Sequence, residues 1–252
     1  MKKIHQAQLI NNEYYILKNG KTSCLGYFNP INQLIERVEK QYAYGIKPRN
    51  AEQTFAIHAL LNPNIKLVTL QGVAGTGKTL LALAAAIEQR KEYAQVILAR
   101  PIVPLSNRDI GFLPGTEKEK ASVYEEPYKD IAIDLFQRGD AYEILKNKSM
   151  VHFMTTSFIR GITLRDTVII IDECQNMSFH ELDSIITRIG ENCRVMFCGD
   201  FRQADLKANG LQDFIRVLKR MDKFTFVEFK VEDIVRSDFV KQYIISKYEL
   251  NL

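Results

Sequence analysis

Tryptophan is absent from the 252-residue chain, and cysteine and histidine occur only four times each. Cys24, Cys174, Cys193 and Cys198 form no CxxC pair, and His5, His58, His152 and His180 stand singly. That spacing excludes a disulfide scaffold and a zinc site, and reduced thiols are expected. Long apolar runs are also missing. The longest, Leu80 to Ile87, is far shorter than the ~18 residues a membrane span requires. Met1-Lys2-Lys3 is followed by His5, Gln6, Gln8, Asn11 and Asn12 where a leader would need an apolar stretch, so a cytoplasmic protein is expected. Thirteen glycines and seven prolines, with 46% hydrophobic residues, exclude collagen-like and low-complexity chains. No charge sign dominates: 34 Lys/Arg against 30 Asp/Glu leave a net +4, too little for a basic nucleic-acid coat protein. Residues 1–49 nevertheless hold eight Lys/Arg against three Asp/Glu, a balance that suits either a phosphate-backbone contact or a solvated surface.

What is present is an alternating pattern. Glu13–Lys18 and Lys21–Leu25 flank Asn19-Gly20, which predicts a β-hairpin. Asn29 and Pro30 then read as a helix start, with Ile31, Leu34, Ile35, Val38 and Tyr42 as its apolar stripe and an end near Gly45. Residues 1–48 are thus expected to be an accessory unit of hairpin plus helix, ahead of a main domain over 49–252. In that domain β-branched runs at 66–71, 95–100, 151–155, 167–172, 194–199 and 224–229 alternate with helical stretches at 78–91, 124–137, 179–189, 211–220 and 238–248. Ser178 and Ser237 stand as caps of the third and fifth. The alternation predicts an α/β fold with a doubly wound, mainly parallel sheet.

Gly72-Val73-Ala74-Gly75-Thr76-Gly77-Lys78-Thr79 matches the GxxxxGK[ST] phosphate-binding loop between a strand and a helix, with Leu80 next. Its backbone N–H groups can curl around phosphates, Lys78 can reach the β- and γ-phosphates, and the Thr79 hydroxyl can join a Mg²⁺ shell. Thr167–Asp172-Glu173 is an apolar strand ending in two carboxylates. Asp172 is assigned to the metal and Glu173 to the attacking water. Gln203, beyond a further strand and Gly199-Asp200, suits a γ-phosphate sensor because its amide both donates and accepts. Asn50-Ala-Glu-Gln53 has two readings, a capping box and a Gln side chain reading an adenine edge. Arg100 suits either a nucleic-acid backbone contact or support of a loop. Arg188 is either a phosphate-facing group or a helix-terminal cation facing the dipole, and Arg236 either completes a nucleotide site or sits near a helix start, where a cation is electrostatically misplaced.

Ile46–Asn50, the phosphate loop, Ala99–Pro104, Gly111–Gly115, Ile171–Gln175, Thr187–Gly190 and Gly199-Asp200 together resemble the PhoH-like ATPase family, over about Ile46 to Val240. The resemblance implies a RecA-like P-loop NTPase core related to superfamily 1 helicases, ATP with Mg²⁺, Gln53 at adenine, Gln203 as sensor, and RNA or single-stranded DNA as partner. Some relatives carry a PIN-type nuclease ahead of this core. The roughly 45 residues here offer only Glu13, Glu36 and Glu39, and no nuclease activity is expected. Arg160-Gly-Ile162-Thr163 stands where relatives carry Arg-Gly-Arg-Thr, and Cys174 where Ala is commoner.

The resulting expectation is a Mg²⁺-dependent ATPase coupled to nucleic acid. The alternatives are an ATP-driven clamp that does not unwind, an ATP-binding adaptor or assembly switch, and a small-molecule kinase. Because the sequence has room for one core, a homo-oligomeric ring is expected, with Arg236 or Arg188 supplied by the neighbouring subunit.

Overall fold

The computed structural model describes residues 9–102, 117–159, 161–201 and 210–250, with side chains described from residue 122 in the second segment. Gln203, Arg160 and the 111–115 motif lie outside them.

Nine strands and eight helices are described. The strands are β1 Tyr14–Asn19, β2 Thr22–Asn29, β3 Leu34–Arg37, β4 Leu67–Gly72, β5 Gln95–Arg100, β6 Val151–Thr155, β7 Thr167–Ile171, β8 Cys193–Gly199 and β9 Phe224–Phe229. The helices are α1 Ala51–Leu61, α2 Lys78–Glu88, α3 Glu117–Phe136, α4 Ala141–Asn147, α5 Thr156–Ile159, α6 Phe179–Ile186, α7 Leu211–Leu218 and α8 Asp238–Glu249. The last six strands form one parallel sheet in the order β6-β5-β7-β8-β4-β9.

Side-chain alternation divides this sheet between two apolar clusters. Val168 and Ile170 of β7 face the cluster that contains α1, α2 and Tyr128 of α3. Ile169 and Ile171 face the one built with α6 and α7. Both faces of β7 are thereby covered, which is why its sequence is apolar without a polar alternate. The expected double winding is observed.

The N-terminal region differs from expectation. The hairpin forms, but its two-residue loop is Gly20-Lys21, with Gly20 at φ +60°. The helix expected after Pro30 is a second reversal followed by strand β3, giving a three-stranded antiparallel sheet. Asn29 and Asn32 account for it: Asn29 Oδ1 accepts from Ile31 N and Asn32 Oδ1 from Leu34 N, and Gln33 N closes onto Asn29 O with Gln33 at φ +60°. These local side-chain bonds compete with a helical turn and win. Of the supposed stripe, Ile31 and Leu34 are exposed.

This small sheet docks on α1. Tyr27, Val38 and Ala43 join the same cluster as α1 and α2. Buried Asn12 ties the unit to β9, donating to Asp222 O and Phe224 O at 2.6 and 3.2 Å while its own carbonyl accepts from Thr225 Oγ1 at 2.6 Å.

Candidate functional site

At the C-terminal edge of the sheet, β4 passes into α2 through the phosphate loop. Gly75 and Gly77 have φ of +85° and +89°, a conformation that costs other residues about 1–2 kcal/mol. Lys78 Nζ lies folded across the loop, donating to Gly72 O at 2.6 Å and Val73 O at 3.0 Å. Its pKa is lowered by burial, against which the carboxylates of Asp200, Asp172 and Glu173 pull.

The acidic pair sits opposite. Thr79 Oγ1 donates to Asp172 Oδ1 at 2.9 Å, so the loop hydroxyl and the strand-end carboxylate meet as the sequence requires. The second oxygen of Asp172 accepts from Tyr128 Oη at 3.1 Å. Burial raises the Asp172 pKa, the neighbouring Glu173 raises it further, and the Thr79 bond, Arg100 and the Tyr128 bond offset part of this. A hydroxyl and one buried carboxylate are a fitting donor set for Mg²⁺, which keeps water and phosphate oxygens in most of its shell. Thr79 and Asp172 would hold it, and such a cation would neutralise charge developing on a phosphate.

Glu173 has φ +54°, a strained setting for a non-glycine residue that turns the chain sharply off the strand. Its Oε2 accepts from Gln175 Nε2 at 2.6 Å, and Oε1 lies 3.9 Å from Arg100 Nη2. Gln175 Oε1 in turn accepts from Asp200 N at 3.1 Å, joining the ends of β7 and β8. The join is tight: a Cβ on Gly199 would lie 2.7 Å from both Cys174 Sγ and Gln175 Oε1. Cys174 is wholly buried there, and burial pushes its thiol pKa well up.

Two chain segments wrap the phosphate loop. Asn50 caps α1 by accepting from Gln53 N at 2.8 Å, as the sequence implies. The Gln53 side chain does not close the box onto Asn50. It accepts from Arg49 N at 2.9 Å and donates to Thr76 O at 3.1 Å, which sets this buried amide directly against the loop. From the other side Val235 N donates to Gly75 O at 3.0 Å, and Arg49 Nη1 donates to Val235 O at 3.3 Å. This turn lays the Arg236 stem on Gly75, where a Cβ would come within 2.8 Å of Arg236 Cγ.

The structure therefore brings together Gln53, Gly72 to Leu80, Asp172, Glu173 and Arg236, and separates Arg188. The backbone of Arg188 accepts from Leu164 N, just ahead of β7, at the opposite edge of the sheet from the loop. The stem of Arg236 lies on the phosphate loop of its own chain, its Cγ 2.8 Å from where a Cβ on Gly75 would stand. Arg100 faces Glu173, which neither sequence reading anticipated. Tyr128 was also missed, because its place in the apolar stripe of α3 reads as core and only the fold brings its hydroxyl to Asp172.

In the sheet, β8 lies between the phosphate-loop strand β4 and the acidic strand β7, a RecA-like arrangement with P-loop NTPase features at its C-terminal edge. A family model described as "PhoH-like protein" matches residues 45–249. "Protein PhoH2" of Bacillus subtilis (strain 168) is 37% identical over 213 residues, 80% of this chain and 48% of that protein. A "PhoH-like protein" of the same organism is 31% identical over 241 residues, 93% of this chain and 73% of that protein. The chain thus spans about half the length of the first of these and most of the second. Among solved structures, the large terminase of a thermophilic bacteriophage, in complex with ADP, aligns with a TM-score of 0.46 at 13% identity, over 77% of this chain and 48% of that one. With its phosphate loop, acidic strand end and wrapped Gln53 all inside the matched region, the chain belongs to the PhoH-like protein family.

Proposed function

We propose that the protein is a Mg²⁺-dependent ATPase whose turnover is coupled to RNA or single-stranded DNA. The observation that carries the hydrolase reading is the 2.9 Å contact between Thr79 and Asp172, with Glu173 held alongside by Gln175 and Arg100. Thr79 and Asp172 orient the cation side of the triphosphate. Lys78 exchanges the Gly72 and Val73 carbonyls for β- and γ-phosphate oxygens. Glu173 orients the attacking water and accepts its proton, while Gln175 and Arg100 hold the carboxylate outward from the strand end. Gln53 reads the adenine edge with the amide hydrogen and lone pair its two bonds leave available. Arg236, already on Gly75, places a cation at the phosphates from within the same chain.

The nucleic-acid part rests on family membership and on the basic N-terminal segment. Its test is ATP turnover with and without a saturating single-stranded oligonucleotide at low salt. Stimulation that declines with salt is expected, because phosphate contacts release counterions. Turnover indifferent to polynucleotide would favour the adaptor reading.

A further inference from the structure

Far from the phosphate loop, two adjoining clefts follow the seam where the accessory sheet meets the N-terminal edge of the main sheet. One, of about 530 Å³, is lined by Asn11, Ile31, Asn64, Lys66 and Lys223 among others. The second, of about 340 Å³, is lined by Ile10, Lys219, Arg220 and Met221 among others, and the two share Asn11, Asn12 and Asp222. Four cations thus line these two adjoining clefts, together a groove along the seam, against two acids, Asp222 and Glu13. Glu13 is engaged by the Tyr15 hydroxyl at 2.7 Å. Lys66, Lys219, Arg220 and Lys223 form no ion pair among the described residues.

Their crowding is unfavourable without an anion. Lys66 precedes β4 and Lys223 precedes β9, and Lys66 feels the charge of both Lys223 and the buried Arg194 guanidinium. Burial and then repulsion from Arg194 and Lys223 lower the Lys66 pKa, with only Glu92 offsetting them. Between the cations the groove exposes aliphatic surface: Ile31 is 71% exposed and Ile10 52%. Spaced cations, aliphatic patches and side-chain amides match a chain that alternates phosphates with flat bases bearing donors and acceptors.

We infer that this groove binds a single-stranded polynucleotide, holding its phosphates with Lys66, Lys219, Arg220 and Lys223, at the edge of the sheet opposite the nucleotide site. The inference rests on the reading above that the protein binds nucleic acid, and adds where. The second cleft also includes the half-buried Phe226 ring, with Lys219 Nζ 5.2 Å from its centroid; backbone cations and ring faces of this kind bind without sequence preference.

The test uses the full chain and a fluorescent single-stranded RNA of about 12 nucleotides, followed by anisotropy across a salt series. Lys219→Glu/Lys223→Glu should weaken binding about tenfold or more and lower the salt slope by about two. Lys18→Glu/Lys21→Glu, the same charge change at the hairpin tip outside both clefts, should weaken it less than about twofold. Neither pair touches the nucleotide site, so basal ATP turnover should be unchanged in both. Were the groove pair to misfold, Lys223→Gln alone would lower the slope by about one. Equal weakening by the two double variants overturns the groove and leaves the nucleic-acid reading standing. RNA binding absent from the unmodified protein overturns both. Displacement of the RNA by polyglutamate at equal charge concentration would assign the groove to acidic proteins instead.

Discussion

Asp172, at the C-terminal edge of the sheet, is a buried carboxylate met by two hydroxyls; Arg194, at the N-terminal edge, is a buried guanidinium met by neutral oxygens. Arg194 Nε and Nη2 donate to Ile65 O at 3.1 and 2.7 Å, and the same side chain bonds Asn62 O and Gln89 Oε1. Both charges bear a desolvation cost, shown by the raised pKa of Asp172 and the lowered pKa of Arg194. The partners differ in what they leave open. The guanidinium is enclosed by chain ends it fastens together, the end of α1, the end of α2 and the start of β4. The carboxylate is held at the rim of a loop built for phosphate. One buried charge secures the fold, and the other is suited to a ligand that brings the missing opposite charge.

The largest effect that would break this contrast is on turnover. Glu173→Gln should lower ATP turnover about 10²–10³-fold while leaving ATP affinity within a factor of about three, because it removes a group that acts on the reacting water. Lys78→Ala should weaken ATP binding roughly 10–100-fold, the range for losing a charge-assisted hydrogen bond. Single-turnover kinetics and nucleotide titration separate the two. A Glu173→Gln protein that turns over normally would remove Glu173 from the mechanism.

At the other edge the loss should be one of stability. Arg194→Met strands Ile65 O and the Gln89 amide oxygen, each costing about 1–3 kcal/mol, while relieving the cost of burying the guanidinium, so a net loss of about 3 kcal/mol is expected. Urea unfolding measures it, and the turnover of whatever remains folded should be near normal. Unchanged stability would show that the carbonyl cage contributes nothing.

These two edges were not equally legible in sequence. The phosphate loop, the acidic strand end and all six parallel strands lie within a residue of where β-branched runs and glycine spacing place them, because burial on both faces leaves no other composition for a strand such as Val168–Ile171. Gln95–Arg100, Val151–Thr155 and Phe224–Phe229 have the bounds their sequence suggests. The Ser178 cap forms with its full reciprocal box through Glu181. The stretch from Pro30 misled because Ile31, Leu34, Ile35 and Val38 carry helical spacing, and spacing alone cannot weigh two asparagines able to bond their own backbone. Tyr128 and Arg194 were illegible for another reason. A tyrosine in an apolar helix stripe and an arginine at a strand start look like ordinary core and surface residues, and their partners lie 44 and 129 positions away.

A smaller effect sharpens the comparison by reversing its sign. Asp172 has a folded-state pKa above its ordinary value, so its stability contribution is favourable when protonated and is lost as pH rises through the folded pKa. At neutral pH and without nucleotide the charge is therefore a cost. Asp172→Asn should raise the melting temperature of the nucleotide-free protein by roughly 2–4 °C while abolishing Mg²⁺-dependent turnover. A lower melting temperature would mean that the bonds from Thr79 and Tyr128 already outweigh the desolvation.

The smallest effect asks whether the edges communicate along α1, which carries Gln53 at the phosphate loop and His58 toward the accessory sheet. His58 Nδ1 lies 2.8 Å from Tyr14 Oη, and burial lowers the His58 pKa. A neutral imidazole accepts from the tyrosine, and a protonated one cannot. Because the folded-state pKa lies below the unfolded value near 6.5, the unfolded chain takes up the proton first. This contribution to stability is complete above about pH 6.5 and declines as pH falls below it. Over that window the wild type should lose up to about 1 kcal/mol more than His58→Gln, whose amide oxygen still accepts from Tyr14 but does not titrate. Denaturant unfolding at several pH values reads the difference. Nucleotide affinity measured over the same window should show no matching change, since the bonds of Gln53 to Arg49 and Thr76 lie more than a turn away on the helix. A parallel loss of affinity in the wild type alone would show that the accessory sheet acts on the nucleotide site through α1, and the two edges would have to be treated as one coupled device.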